Sequence, residues 1–306
     1  MTELTDSQLV KLMKLNNVHG LGPSRILYLV QRFETIDGVF NAANLDLEKT
    51  KGITNLMVKE IEKLKSASDE NYLKTIHDCK KNKIEILTLF DKDYPRQLKN
   101  IPLPPIFLFL WGDKSLLYSE NKIAIVGSRT ASEKALDLTS VIASNLAKKG
   151  VVIVSGGALG IDTAAHNAVL QQTGGKTISI MGTGFFNLYP EENKKLLNTI
   201  KERGLLVSEY SPNFGGANYS FVQRNRITSG ISNGIINIAS GAMGGAMVQT
   251  KTAYKQKVPI FVPSLALHIL PNEGIKQAIQ EFGAIEIMSS DDVLDKLKNE
   301  TNLNNK

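Results

Sequence analysis

The residues best suited to chemistry stand in Phe221-Val222-Gln223-Arg224-Asn225-Arg226-Ile227, where two guanidinium groups flank an amide as the chain begins a helix. A guanidinium presents paired donors that match a phosphate or a carboxylate, so the pattern points to an anion. Three glycine-rich segments share that character: Gly127-Ser128-Arg129-Thr130, Ser155-Gly156-Gly157-Ala158-Leu159-Gly160 and Ser240-Gly241-Ala242-Met243-Gly244-Gly245. Glycine allows a ligand close approach to the backbone, and amides ahead of a helix favour negative charge. The expected cradle comprises Gly127, Ser128, Arg129, Ser155, Gly156, Gly157, Gly160, Phe221, Arg224, Asn225, Arg226, Gly244 and Gly245. Lys194, with Lys195 beside it, follows the segment Gly182-Thr183-Gly184 and completes the set.

Bond-making chemistry finds little support. Asp162 and His166, four apart on one helix face, imitate an acid–base pair. The plainer reading is an aspartate answering a helix dipole and a hydrogen-bonded core histidine. No Walker lysine, nucleophile elbow or hydrolytic carboxylate pair is present. Histidines at 19, 77, 166 and 268 and the single Cys79 offer neither metal-ligand spacing nor an internal disulfide. No catalytic residue, metal or cofactor is expected. Phe185, Phe186 and Tyr189 either stack on a base or belong to the core; the sequence leaves both readings open.

These loops need elements that bring them together. KIAIVG (122–127), VVIVS (151–155), TISIMG (177–182), LLVSEY (205–210), GIINIA (234–239) and VPIFVP (258–263) are short apolar runs separated by amphipathic segments such as SEKALDLTSVIASNLAKKG. Alternation of this kind predicts an α/β fold, a Rossmann-like doubly wound and mostly parallel sheet, over 121–298. Ligands of such sheets bind beyond the carboxyl ends of the strands, where the loops above fall. Residues 69–120 form a connecting region with two more strands near 84–89 and 106–111, set off by Pro95, Pro102, Pro104 and Pro105. Residues 1–68 read as a helical module. Val18-His19-Gly20-Leu21-Gly22 and its echo Lys51-Gly52-Ile53-Thr54 resemble the turns of a helix-hairpin-helix pair, either offering amides to phosphate or simply packing. Residues 299–306 read as a polar tail.

With 306 residues and a net charge of +6, a polyanionic partner is favoured without being demanded. No apolar run reaches the roughly 18 residues of a membrane span. The start MTELTDSQLV lacks the basic and apolar regions of a secretory leader. A cytoplasmic protein without a membrane partner is expected.

In order, the motifs resemble the DprA/Smf family of DNA-processing proteins. The resemblance rests on Tyr94-Pro95 with Leu98, Ile125 to Arg129, Val154 to His166, Gly182-Thr183-Gly184 with Tyr189-Pro190 and Asn193, Ser208-Glu209-Tyr210, Phe221 to Ile227, and Asn272 to Asp292. It implies a homodimer that binds single-stranded DNA and helps load RecA in transformation or recombination, with Arg129, Arg224, Arg226 and Lys194 or Lys195 in the basic pocket. Two departures stand out: Ala239-Ser240 where the family has Glu-Ala, and Pro263-Ser264 where it has Pro-Gly. The polar end NETNLNNK is expected to leave no room for the winged helix that many members carry. Two other readings remain: a nucleotide-binding sensor, and an enzyme like the nucleoside-monophosphate phosphoribohydrolases. The latter need a glutamate after a Gly-Gly-x-Gly-Thr loop, and Gly244 to Thr250 contains none.

Overall fold

The computed structural model describes residues 4–304. Two compact units emerge, Met1–Tyr94 with Leu103–Phe107, and Pro95–Pro102 with Leu108–Lys306. The first unit therefore continues past residue 68 to Tyr94.

In that first unit, helices α1 (Asp6–Asn16), α2 (Pro23–Arg32), α3 (Ile36–Asn41), α4 (Asn44–Glu48), α5 (Asn55–Ser66) and α6 (Glu70–Lys81) precede strand β1 (Glu85–Thr88). Thr5 and Gln8 form a capping box at the start of α1. Leu12, Leu15, Ile26, Leu29, Leu47 and Ile61 are fully buried. Lys14 is buried too, and its ammonium holds the carbonyls of Leu64 and Ala67, each at 2.8 Å, and Asp69 at 2.5 Å. The two glycine turns are tied together: Arg25 donates to Gly52 O and to Gly20 O, both at 2.8 Å. Glu60 accepts the His19 N–H at 2.8 Å, so this turn amide is already engaged inside the module. Tyr94, from the Tyr-Pro motif, buries its ring and donates its hydroxyl to Pro105 O at 2.7 Å.

Apolar residues, β-branched in most strands and aromatic or Leu in the first, set the strands of the second unit, because they pack well on a pleat covered on both faces. These are β2 (Phe107–Gly112), β3 (Lys122–Val126), β4 (Val152–Ser155), β5 (Thr177–Met181), β6 (Leu205–Ser208), β7 (Gly234–Asn237), β8 (Ile260–Pro263) and β9 (Ile285–Ile287). They lie in the order β2-β6-β5-β4-β3-β7-β8-β9. Only the β2–β6 pairing is antiparallel among these, Phe109 facing Ser208; the others are parallel. From β3 the chain winds outward through β4, β5 and β6, then returns to place β7 on the other flank of β3. That reversal is the topological switch point of a Rossmann-like sheet.

The helices of this unit are α7 (Arg96–Lys99), α8 (Glu133–Lys148), α9 (Ile161–Leu170), α10 (Lys194–Arg203), α11 (Asn218–Gln223), α12 (Asn225–Gly230), α13 (Gly245–Lys255), α14 (Glu273–Phe282) and α15 (Ser290–Asn304). Ala135, Ala143, Ala147, Ala165 and Ala168 share one buried cluster with Ile123, Ile125, Ile153 and Ile236, and these small residues allow α8 and α9 to pack closely. Strand β9 was not legible beforehand; with 3 residues it is too short to show a period. The stretch expected as a polar tail from 299 is helical in backbone as far as Asn304, while 305–306 lie outside the described residues, as do 1–3 of the expected leaderless start. Among the described residues no helix is long and apolar enough to cross a membrane.

Candidate nucleic-acid interface

Two glycines bring the first two loops into register. Gly127 directly follows β3, where a Cβ would sit 2.5 Å from Ile161 Cγ1. Gly160 has φ of 76°, and a Cβ there would lie 2.4 Å from Ser128 O. Neither position tolerates a side chain without displacement, so the β3 loop rests directly on the start of α9. The Ile161 N–H bonds Ser128 O at 3.2 Å, and the Ser128 N–H bonds Ala239 O at 2.7 Å, linking three strand ends.

Arg224 occupies the joint between α11 and α12 and reaches back across the sheet edge. Its Nη1 donates to Ile180 O at 3.2 Å, and its Nη2 lies 3.7 Å from Asp162 Oδ2. The Arg224 Nε–H is buried and has no partner among the described residues. Burial pushes the Asp162 carboxyl above its usual range, opposed by Arg224, the Ala158 N–H and Ser155. Burial likewise draws Arg224 down, opposed by Asp162, yet a guanidinium stays protonated at neutral pH. Arg129 is exposed and close enough to bear electrostatically on both.

A second layer holds this arrangement. His166 is fully buried, with Nε2 2.7 Å from Gly156 O and Nδ1 2.7 Å from Thr177 Oγ1. Burial drops its pKa to about 4, so the ring is neutral and structural. Asn193 donates to Gly157 O at 2.9 Å, Ala158 O at 3.1 Å and Thr163 Oγ1 at 2.8 Å, fastening the β4 loop. Nothing at the sequence level singled out Asn193 as a brace; its place two residues after Pro190-Glu191 in the motif was the available signal.

Two hollows open at the strand ends. The larger, about 410 Å³, lies at the switch point and is lined by the β3 loop (Gly127 to Thr130), Arg224, Asn225, and the β7 loop with Gly244 and Gly245. The smaller, about 60 Å³, is lined by Gly157, Leu159, Gly182, Tyr189 and Pro190. Arg129, Ala158, Phe221 and Arg224 border both. Helix α13 begins at the larger hollow without a capping side chain, leaving its N-terminal dipole turned to that space.

The expected residues therefore divide. Gly127, Ser128, Arg129, Gly157, Phe221, Arg224, Asn225, Gly244 and Gly245 line the hollows. Ser155, Gly156 and Gly160 stand behind the wall: Ser155 Oγ bonds Ile125 O at 2.6 Å, and Gly156 backs Arg224. Arg226 lines neither hollow and instead makes a two-pronged ion pair with Glu209, both contacts 2.6 Å. Lys194 pairs with Glu191 at 2.6 Å and also lies off the lining. Phe185 is buried against Trp111, ring centroids 5.7 Å apart, whereas Tyr189 is half exposed and its ring lies 5.3 Å from Phe221. Pro190 stands before a 3₁₀ turn at Glu191–Asn193, and α10 starts only at Lys194. At the departures, Ser240 accepts from Asn237 Nδ2 at 3.0 Å, and Gly274 leaves it room, since a Cβ there would be 2.3 Å from its Oγ. Ser264 uses its N–H on Ile287 O at 2.9 Å.

The mostly parallel sheet and the glycine loops at its switch point define a Rossmann-like α/β protein. Residues 85–298 match the family described as DNA recombination-mediator protein A, and the chain belongs to that family. DNA processing protein DprA of Streptococcus pneumoniae is 37% identical over 213 residues, 69% of this chain and 74% of that protein. Protein Smf of Synechocystis is 31% identical over 249 residues, 80% of this chain, which spans 62% of that relative's length. The crystal structure of DprA from S. pneumoniae superposes with a TM-score of 0.80 at 32% identity, covering 96% of this chain and 98% of that one. DNA processing protein A of Helicobacter pylori, solved for its single-stranded DNA binding mode, gives 0.63 at 30% identity, over 71% of this chain and 97% of that one.

Proposed function

We propose that this chain binds single-stranded DNA along the strand ends and, as a cytoplasmic homodimer, hands the strand to RecA in recombination or transformation. The observation that carries the reading is the convergence of Arg129 and Arg224 on one glycine-lined hollow at the switch point. Phosphates would meet the two guanidinium groups and the start of α13, which carry no sequence information. Bases would meet Tyr189 and Phe221, whose faces accept any base. The single-strand binding of the H. pylori relative supports the same ligand class. The reading is of a binding protein, with His166 and Asp162 as scaffold rather than as catalysts.

The test is fluorescence anisotropy with a labelled oligonucleotide, comparing the wild type with the double variant Arg129→Glu/Arg224→Glu. Binding is expected to be lost while the circular dichroism spectrum stays unchanged. Retained binding by a folded double variant would place the ligand elsewhere.

A further inference from the structure

Arg224 and Arg226 stand two residues apart on helical backbone, which turns their side chains about 200° from each other. When one faces the hollow, the other faces away. Arg226 meets Glu209, immediately after β6, in a fork: Nη1–Oε1 and Nη2–Oε2 are each 2.6 Å, and Nη1 also bonds Gln223 O at 3.0 Å. Their side chains are only 15% and 13% exposed, so the pair is dry enough to hold one geometry.

The joint beneath Arg224 is gripped from the other side as well. Gln256, closing α13, donates to Arg226 O at 3.0 Å and accepts from Ser229 Oγ at 2.6 Å. Gln249 donates to Asn225 O at 3.0 Å. Arg224 thus sits between a fork anchored to the sheet and two amides anchored to α13.

We infer that Glu209 and Arg226 are a positioning pair: their fork fixes the α11–α12 joint so that Arg224 lies over Gly156, and Arg226 takes no phosphate itself. The inference rests on the single-strand reading above. It separates from a simple charge account at Glu209. Neutralising an acid near a polyanion strengthens binding if charge alone matters; loss of the fork weakens it.

The experiment measures affinity for a labelled oligothymidine across a salt series, using wild type, Glu209→Gln, Arg226→Gln and the reversed pair Glu209→Arg/Arg226→Glu, each verified as folded by near-ultraviolet circular dichroism. Both single variants are expected to bind about ten-fold more weakly at fixed salt and to flatten the dependence on log salt alike, by up to about 0.7, because a displaced Arg224 leaves its phosphate. The reversed pair is expected to recover most of that loss. The inference is overturned if Glu209→Gln binds as tightly as wild type or tighter, or if Arg226→Gln flattens the salt dependence while Glu209→Gln leaves it unchanged, as loss of a direct Arg226–phosphate contact would. A parallel measurement needs no DNA: the Arg224 Nε–Hε resonance of the free protein. It is expected to shift in Arg226→Gln; an unchanged resonance overturns the pairing. Failure of the wild type to bind, with that shift present, would count against the single-strand reading alone.

Discussion

The guanidinium of Arg224 points its Nη edge at Gly156, so close that a Cβ at 156 would stand 2.0 Å from both of its Nη atoms. Gly156 is in turn held by His166 through its carbonyl. The residue proposed to take a phosphate is thereby placed by a glycine and a buried histidine, neither of which lines the hollows. Gly156→Ala is expected to evict the guanidinium, weakening single-strand binding about ten-fold while the protein still folds. Anisotropy titration at fixed salt checks this, and wild-type affinity in Gly156→Ala would show that Arg224 binds nothing from this position.

Acid should loosen the same scaffold. The His166 pKa falls from 6.5 to about 4 on burial, so the folded protein resists a proton that the unfolded chain accepts. The contribution is complete above pH 6.5 and is lost as pH falls toward 4, about 3 kcal/mol in all. Asp162, raised by burial, works in the opposite sense. Urea denaturation between pH 7 and 4.5 should therefore be steeper in pH for wild type than for His166→Gln. Equal pH dependence in the two proteins would assign the buried proton-resisting group elsewhere.

Much of the fold was legible because the strands announce themselves: each apolar run from Lys122 to Pro263 became a strand, four of the six trimmed at the carboxyl end and those at 151–155 and 258–263 at the amino end. Of the site, residue type was legible and direction was not. Arg224 and Arg226 look equivalent in sequence, yet their spacing on a helix sends one to the hollow and the other to Glu209. Lys194 was placed by nearness along the chain, while Glu191 one turn earlier holds it. Phe185 and Tyr189 belong to one loop, and only the strand packing beneath them made the first core and the second exposed. Partners distant in sequence, such as Asn193 with Gly157, leave no periodic trace.

Gly160 carries the seam between the β3 and β4 loops. With φ of 76° and Ser128 O and Arg129 O within 2.7 Å of a built Cβ, Gly160→Ala meets both backbone strain and overpacking. A loss of about 2 kcal/mol or more is expected, read as a lower urea midpoint with an unchanged slope. A change below about 0.5 kcal/mol would mean that the loops slide apart freely.

Stacking and charge should separate experimentally. Phe221 underlies Gly182 and pairs with the half-exposed Tyr189. Phe221→Leu is expected to cost about 1–3 kcal/mol of single-strand affinity without altering the salt dependence. A flattened salt dependence in this variant would instead indicate that the ring shapes the phosphate site.

The central claim is that Arg129 and Arg224 meet the phosphates of one strand. Its most direct test is the slope of log affinity against log salt for an unstructured oligonucleotide, in wild type, Arg129→Gln, Arg224→Gln and the double variant. Each single change is expected to flatten the slope by about 0.7 and the two together by about 1.4. Slopes identical to wild type in all three folded variants would contradict the account.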